Sequence, residues 1–165
     1  MKKLMKKKEL MLIQKSIDLV LFSVSSPVLC GIYEDLELKE DRSFECKSMD
    51  ALTEILYALR DRKINRIFYA KGPGSFTAIK LTHIFLQTLR IASGVEIFST
   101  DAFYFNSNAP IKAFGNQYFV KKENEEIVLE SFENGVVEQV FALPQKIHIE
   151  DFSIENQPLY VLPPI

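Results

Sequence analysis

Residues 66–99 constrain the fold of this 165-residue chain more than any other segment. β-Branched and aromatic residues predict a short strand at 66–70, and a glycine-containing turn follows it. Ser75 is suited to cap a helix that apolar periodicity predicts over 76–93. Another apolar run predicts a strand at 95–99. A strand, a helix and a second strand at this spacing form a βαβ unit, with parallel strands and a right-handed crossover.

The helix predicted over 76–93 is unusually apolar. Apolar residues at helical spacing form a stripe along one side, and further apolar residues next to it make the apolar surface wider. Together these residues are Ala78, Ile79, Leu81, Ile84, Phe85, Leu86, Leu89, Ile91 and Ala92. A helix that is apolar over most of its circumference is expected to be covered on more than one side. Gly94 is suited to end the helix, because glycine readily adopts the left-handed conformation that closes many helices.

Three short strands and one helix are predicted before this unit. Apolar and aromatic runs favour strands at 16–24, 28–33 and 43–47. The short polar breaks between them favour an antiparallel meander. An amphipathic helix is predicted over about residues 49–62, with Ser48 as its candidate N-cap. The residues that recur at helical spacing on its apolar face include Leu52, Ile55 and Leu59.

The pattern changes after residue 100. Residues 101–110 form the best internal boundary, and their aromatic cluster at 103–105 predicts a core contact rather than a base-stacking platform. Strands are predicted at 117–120, 126–132 and 136–142. Asn134-Gly135 indicates a hairpin between the last two, because a type I′ turn needs positive φ at both positions. The proline-containing C-terminal segment predicts extended chain.

Composition and charge narrow the class of protein. With 47% apolar and 25% charged residues the chain is globular, because disordered chains are poor in apolar residues. Its formal net charge of −2 argues against general nucleic-acid binding. Five lysines lie in the first eight residues, whereas residues 9–165 hold 15 basic and 22 acidic residues, a net charge of −7. We expect a frayed start that makes at most a weak electrostatic contact.

These patterns divide the chain into three parts. Residues 1–15 form a basic N-terminal arm, residues 16–100 a first segment, and residues 101–165 a second segment with a proline-containing tail; the resemblance given below implies that these two segments are a first lobe and a reduced second lobe. No apolar run reaches the roughly 18 residues that a membrane-spanning helix needs. A leader cut before Cys30 is disfavoured because Leu29 is not small. Cys30 and Cys46 form no CxxC pair and are expected to be reduced. We therefore expect a cytoplasmic protein.

The clearest candidate for chemistry is the hexapeptide Gly72-Pro73-Gly74-Ser75-Phe76-Thr77. Glycines allow close backbone approach, and a helix N-terminus attracts anions, so these six residues form a candidate anion-binding site. The hexapeptide is neither a Walker loop nor a dinucleotide-binding motif, and a tight turn capped by Ser75 is the alternative. His83 and His148 lack a second ligand at metal spacing. Neither a metal ligand nor a catalytic residue is therefore predicted.

The hexapeptide GPGSFT resembles the signature of the TsaB (YeaZ) family, which is needed to make threonylcarbamoyladenosine in tRNA. The family continues this signature with Gly, an apolar residue, Arg and an apolar residue, where this chain has residues 78–81, Ala-Ile-Lys-Leu. The predicted element order is similar to the first half of the actin-like ATPase (ASKHA, RNase H-like) fold. The resemblance covers about residues 17–99 well and 112–142 loosely. It implies an α/β protein: a lobe with an antiparallel meander plus a βαβ unit, then a truncated second lobe made mostly of strands.

The resemblance also implies a function. TsaB-like proteins are non-catalytic subunits that support the catalytic paralogue TsaD, so we expect a TsaD-like partner, a TsaE-like ATPase and a homodimer when the chain is alone. Direct strong nucleic-acid binding and a membrane partner are not expected. In the family the helices of the first half make these contacts. The corresponding interface residues here are Leu52, Ile55, Leu59, Lys80, Leu81 and Ile84.

The resemblance bears on nucleotide binding as well. Family members open with a strand carrying an Asp-Thr/Ser pair, where this chain has Phe22-Ser23. No cofactor is therefore expected, and ATP or ADP binding should be weak or absent. Two alternatives stay open: a nucleotide-binding enzyme of the actin-like ATPase group, and a degenerate TsaB copy with only an interaction role.

Overall fold

The computed structural model describes residues 1–13, 15–135 and 140–161. Among them are three α-helices: α1 Lys2–Ile13, α2 Ser48–Ala58 and α3 Phe76–Ser93. The strands are β1 Ile17–Phe22, β2 Val28–Glu34, β3 Glu37–Phe44, β4 Ile64–Ala70, β5 Glu96–Thr100, β6 Ile111–Phe114, β7 Gln117–Lys121 and β8 Ile127–Ser131. Short 3₁₀ helices lie at Ala102–Phe105 and Ile149–Asp151. No helix in these ranges has both the length and the apolar character to cross a membrane.

The strands form two sheets. The larger has the order β3-β2-β1-β4-β5. Strands β1, β4 and β5 run parallel to one another, and β2 runs antiparallel to both of its neighbours, β1 and β3. The smaller is an antiparallel sheet of order β6-β7-β8. Helix α3 joins the parallel neighbours β4 and β5. The predicted meander and βαβ unit are therefore confirmed, and the chain is a mixed α/β protein.

The larger sheet is covered on both faces, which explains why its central strand β1 is buried along its whole length. Alternate side chains point to opposite faces of a strand. Leu19 and Leu21 join the cluster that packs against α2 and α3. Val20 and Phe22 join a second cluster, which includes the 3₁₀ helix after β5 and residues of the smaller sheet. The aromatic residues Phe103 and Phe105 are buried in this second cluster, which agrees with the core role predicted for them.

Two local predictions before α2 are wrong. The third strand is β3, Glu37–Phe44, and begins six residues before the predicted strand at 43–47. Strand β3 lies at the edge of the sheet, where charged side chains are tolerated and help to prevent pairing with other chains, so it lacks an apolar pattern. Ser48 is not the N-cap of α2, because Lys47 occupies that position and makes no side-chain cap. The Ser48 hydroxyl instead donates to the Ser23 carbonyl at 2.9 Å.

The two ends of the chain also differ from expectation. The start, expected to fray, contains the helix α1. The C-terminal segment is extended as predicted, but it packs along the larger sheet. Ser153 and Ser99 exchange two backbone hydrogen bonds of 2.8 Å, and the Leu159 N–H donates to the Lys71 carbonyl at 2.9 Å. We call residues 152–161 the C-terminal strap. Of the strand predicted at 136–142, residues 136–139 lie outside the described residues, and residues 140–142 are not in a strand. Gly135 has a positive φ of 70° but Asn134 does not, so the predicted type I′ turn is wrong.

Candidate functional site

The GPGSFT turn joins β4 to α3, and its hydrogen bonds are local. Ser75 is the N-cap of α3, as predicted: its hydroxyl accepts a hydrogen bond from the Ala78 N–H at 3.4 Å. The Ser75 N–H donates to the carbonyl of Val24, just after β1, at 2.8 Å. Gly94 ends the helix at a φ of 72°, also as predicted. The turn therefore connects the start of α3 to the end of the central strand.

Both glycines of the turn allow another part of the backbone to approach closely. A Cβ atom on Gly74 would lie 2.4 Å from the Val24 carbonyl oxygen. A Cβ atom on Gly72 would lie 2.4 Å from the Leu159 carbonyl oxygen, and Gly72 has a φ of 128°, which side-chain-bearing residues rarely adopt. This geometry supports the tight-turn interpretation of the motif. The anion-binding interpretation stays a prediction.

The other motif residues contact the strap or the smaller sheet. Pro73 is buried, whereas Phe76 and Thr77 are exposed. The ring of Phe76 lies 4.8 Å from that of Tyr160 in the strap. A cavity of about 210 Å³ separates the turn from the smaller sheet, and Ala113, Phe119 and strap residues line it. The strap therefore occupies part of the space between the turn and the smaller sheet, which the sequence did not predict.

The Phe22-Ser23 pair at the end of β1 lies in the core. Phe22 is fully buried, and its ring lies 4.4 Å from that of Phe141 and 5.2 Å from that of Phe105. The neighbouring Ser23 is also fully buried, and its hydroxyl shares a 2.7 Å hydrogen bond with that of Thr82 on α3. These contacts give the Phe22-Ser23 pair a role in core packing.

Three of the predicted interface residues belong to the core. Leu52, Ile55 and Leu59 are 1%, 4% and 5% exposed, and they pack in the cluster between α2, α3 and the larger sheet. A partner cannot contact these side chains while the chain is folded. Their helical spacing correctly identified one face of α2, but that face is turned toward the sheet. Their assignment as interface residues is therefore wrong.

The predicted interface residues on α3 lie on a different kind of surface. Lys80 is exposed, Ile84 is 52% exposed and Leu81 is half-buried. Ile91, which the interface prediction missed, is 83% exposed. Together with Thr88, these residues recur at helical spacing along one side of the helix, and we call this surface the α3 outer face. Within the described residues α3 is thus not covered on every apolar side, and the apolar width of its sequence was the signal for this exposed face.

The apolar surface continues toward the start of α2. A depression of about 350 Å³ lies between the N-terminal ends of α2 and α3, and Met49, Ala78 and Leu81 contribute apolar side chains to it. Met49 is 43% exposed. The depression adjoins the α3 outer face through Leu81, so the two form a continuous surface on the helical side of the molecule.

The other reactive or ionisable side chains singled out are dispersed over the described part of the chain, and the Nδ1 atom of His83 is buried without a hydrogen-bond partner. Cys30 is buried, and burial raises the pKa of its thiol to about 12, whereas Cys46 is exposed; neither forms a disulfide. The Arg66 guanidinium forms two hydrogen bonds to Asp18, of 3.0 and 2.7 Å, and this carboxylate raises the pKa of Arg66. His148 lies 3.7 Å from Glu150. The described ranges contain no group of three His, Cys, Asp or Glu residues arranged to hold a metal ion.

Comparison with known proteins identifies the fold. Neither a protein-family model nor a curated protein sequence matches the chain. Among solved structures, YeaZ from Pseudomonas aeruginosa superposes with a TM-score of 0.55 and 13% identity, covering 81% of this chain and 70% of YeaZ. The chain has the YeaZ fold. The crystal structure of an uncharacterized protein with similarity to peptidase YEAZ from Pseudomonas aeruginosa superposes with a TM-score of 0.51 and 13% identity. The match covers 78% of this chain and 64% of that protein.

The YeaZ comparison confirms the resemblance that the GPGSFT motif predicted, at the level of the fold. This chain spans about two thirds of the length of the two YeaZ-like structures. Its identity of 13% to both is too low for the comparison to transfer a binding partner or an activity.

Proposed function

We propose that this chain is a non-catalytic TsaB-like scaffold subunit that supports threonylcarbamoyladenosine modification of tRNA by binding a TsaD-like catalytic partner. The observation that carries the proposal is the α3 outer face. Ile84 and Ile91 are exposed on a helix whose opposite side is packed against the sheet. Large apolar side chains exposed along one face of a helix mark a candidate site of protein association. The YeaZ fold and the GPGSFT motif support the choice of partner.

The same surface would serve self-association when the partner is absent. Full burial of an isoleucine side chain contributes about 1.5–3 kcal/mol, so two such residues supply a useful part of a binding free energy. A TsaE-like ATPase would then join through the TsaD-like subunit. In this proposal the chain contributes surface and carries no catalytic residue.

We also infer that the two sheets correspond to the two lobes of an actin-like ATPase. The first lobe has the meander, α2, β4, α3 and β5 in the order expected of that fold. The second is represented by the three-stranded sheet β6-β7-β8. This correspondence places the GPGSFT turn and Phe22 at the side of the first lobe that faces the second.

Replacing Ile84 by aspartate is expected to abolish binding to a TsaD-like partner without unfolding the chain. Burying an unpaired carboxylate at an interface costs at least about 2 kcal/mol, so affinity should fall more than about thirtyfold. Because Ile84 is half exposed in the isolated chain, its replacement should change the free energy of unfolding little. Co-expression with the TsaD-like protein of the same cell, followed by size exclusion and calorimetry, measures both effects.

Phe114→Asp is the matched control for this experiment. Phe114 is 55% exposed, close to the 52% of Ile84, and lies in β6 of the smaller sheet, outside the α3 outer face. The control should bind the partner as the unchanged chain does. If Ile84→Asp binds equally well, the α3 outer face is not the contact surface and the proposal fails.

Nucleotide is expected not to bind at the GPGSFT turn. Phe22 brings an aromatic ring where a carboxylate would help to hold a phosphate-bound cation, and Val24 and Leu159 approach the two glycines. Calorimetric titration with ATP or ADP and magnesium should give no saturable heat at millimolar nucleotide. Saturable binding would instead support the alternative function, a nucleotide-binding enzyme of the actin-like ATPase group.

A further inference from the structure

We propose that helix α1 attaches this protein to an anionic lipid surface. The helix sequence, KKLMKKKELMLI, contains five lysines and one glutamate. Lys2, Lys3, Lys6 and Lys8 are exposed, and none of them forms an ion pair with a described carboxylate. Clusters of four to eight basic residues on a helix bind anionic headgroups. This role is independent of the α3 outer face and goes beyond the proposed scaffold function.

The helix is electrostatically unfavourable by itself. Lys2 and Lys6 are four residues apart, as are Lys3 and Lys7, and like charges at this spacing destabilise a helix. The first turn has no acidic residue to interact with the positive end of the helix dipole. A 12-residue helix is marginal in water even with a good sequence. An anionic surface would remove this repulsion, so binding and helix formation should be coupled.

The part of the body that adjoins α1 is electrically balanced. Lys15, just after the helix, pairs with Asp35 in the turn between β2 and β3. That turn lies where β1 begins, because Asp18 and Tyr33 are opposite each other in the β1–β2 ladder. Four acidic residues at this edge have a basic partner: Lys15–Asp35, Arg62–Glu34, Lys39–Glu37 and Arg66–Asp18. Glu96, at the start of β5, lies beside Arg66 and helps to raise its pKa. This edge can therefore approach an anionic surface without strong repulsion.

Several exposed acidic side chains lie at the opposite edge. Asp101 follows β5, which runs parallel to β4 and so ends at the far side of the sheet from the β2–β3 turn. Lys121 pairs with Asp101 at 2.8 Å and with Glu125 at 2.6 Å. This contact holds the β7–β8 turn, which also exposes Glu123 and Glu126, at that far edge. The charge distribution thus orients the molecule with α1 toward a negative surface and the acidic turn away from it.

The apolar residues of α1 favour lipid over nucleic acid as the anionic partner. Leu4 and Met5 are 69% and 63% exposed among the lysines. Half of the twelve residues of the helix are leucine, isoleucine or methionine. The side chains of Leu4 and Met5 gain free energy by entering the boundary between headgroups and acyl chains, but they gain nothing from a phosphate backbone. Attachment to a membrane surface needs no membrane-spanning helix. The proposal therefore replaces the expectation that the chain has no membrane partner.

Co-sedimentation of the full chain with lipid vesicles tests the proposal. Binding is expected to phosphatidylcholine vesicles that contain about one third phosphatidylglycerol, with a gain of helical circular dichroism, and not to phosphatidylcholine alone. Reversing Lys2, Lys3, Lys6 and Lys8 to glutamate should reduce partitioning at least about tenfold. Leu4→Ser with Met5→Ser should also reduce it, because the apolar contribution is removed.

The matched control reverses four exposed lysines that lie away from this edge, Lys47, Lys80, Lys112 and Lys122, and should keep most of the binding. Urea unfolding checks that each variant folds. Equal loss of binding in the two four-lysine variants would overturn the proposal, because net charge alone would then explain it. Absence of vesicle binding, or tight binding of single-stranded RNA that the Leu4 and Met5 replacements leave unchanged, would overturn it as well.

Discussion

Replacing Gly74 by alanine should destabilise the protein by about 2–4 kcal/mol, a large effect for the addition of one methyl group. The new Cβ would lie 2.4 Å from the Val24 carbonyl oxygen and 2.9 Å from the Val24 Cβ. Val24 is 1% exposed in the core and cannot easily move away. The clash would also disturb the 2.8 Å hydrogen bond from the Ser75 N–H to Val24. Urea denaturation followed by circular dichroism measures the change.

Two other glycines separate the effect of this contact from that of backbone conformation. Gly115 has a φ of 53° but no atom within 4 Å of a built Cβ, so Gly115→Ala should cost only about 1 kcal/mol. Gly72→Ala should displace the strap near Leu159 and cost less than Gly74→Ala if the strap yields. If Gly74→Ala is no more destabilising than Gly115→Ala, the close approach of Val24 does not explain the motif.

Phe22 is expected to tolerate neither truncation nor a charge. Phe22→Ala removes a fully buried ring that packs on Phe105 and Phe141, and it should destabilise the fold by about 3–5 kcal/mol. Phe22→Asp, which restores the residue type found in the TsaB family, would bury an unpaired carboxylate in the same apolar cluster. Burying this carboxylate adds several kcal/mol to the cost of losing the ring. The total approaches the whole free energy of unfolding of a typical domain. We expect this variant not to fold.

Phe22→Leu is the control, because it keeps an apolar side chain of similar size and should cost about 1–1.5 kcal/mol. Unfolding free energies of the alanine and leucine variants, with the soluble yield of the aspartate variant, test the series. A stable, soluble Phe22→Asp protein would contradict the packing described for this position. Such a protein should then be titrated with nucleotide and magnesium, since it would carry the carboxylate that the GPGSFT resemblance leads us to expect near the turn.

The elements that could be predicted from sequence are those whose local pattern and final environment agree. The sequence of β1 is an apolar run typical of a strand, and the strand is buried on both faces. The sequence of α3 has an apolar periodicity, with Ser75 as its N-cap and Gly94 at its end. Each of these signals acts within a few residues of the chain. The GPGSFT motif predicted which α/β fold the chain adopts. Apolar patterning and composition do not distinguish this fold from those of other α/β proteins.

The elements that could not be predicted depend on distant contacts. Strand β3 is charged because it is an edge strand, and an edge exists only once the sheet has formed. The strap is aligned by hydrogen bonds to Lys71 and Ser99, which are more than fifty residues away in sequence. Leu52 and Ile84 are both apolar residues at helical spacing, yet one is buried and the other exposed. Only the positions of α2 and α3 on the sheet distinguish them.

The candidate site shows the same division. The amino-acid sequence alone was sufficient for the strand–turn–helix unit, the Ser75 cap and the lysine-rich start, because local backbone preference and charge produce them. Tertiary structure assigned the roles: it placed Val24 and Leu159 against the glycines, turned one face of α2 inward, and left the α3 outer face exposed. It also put Lys15, just after α1, and the acidic β7–β8 turn at opposite ends of the strands of the larger sheet. Burial and charge separation depend on which segments meet in space, and local sequence does not specify that.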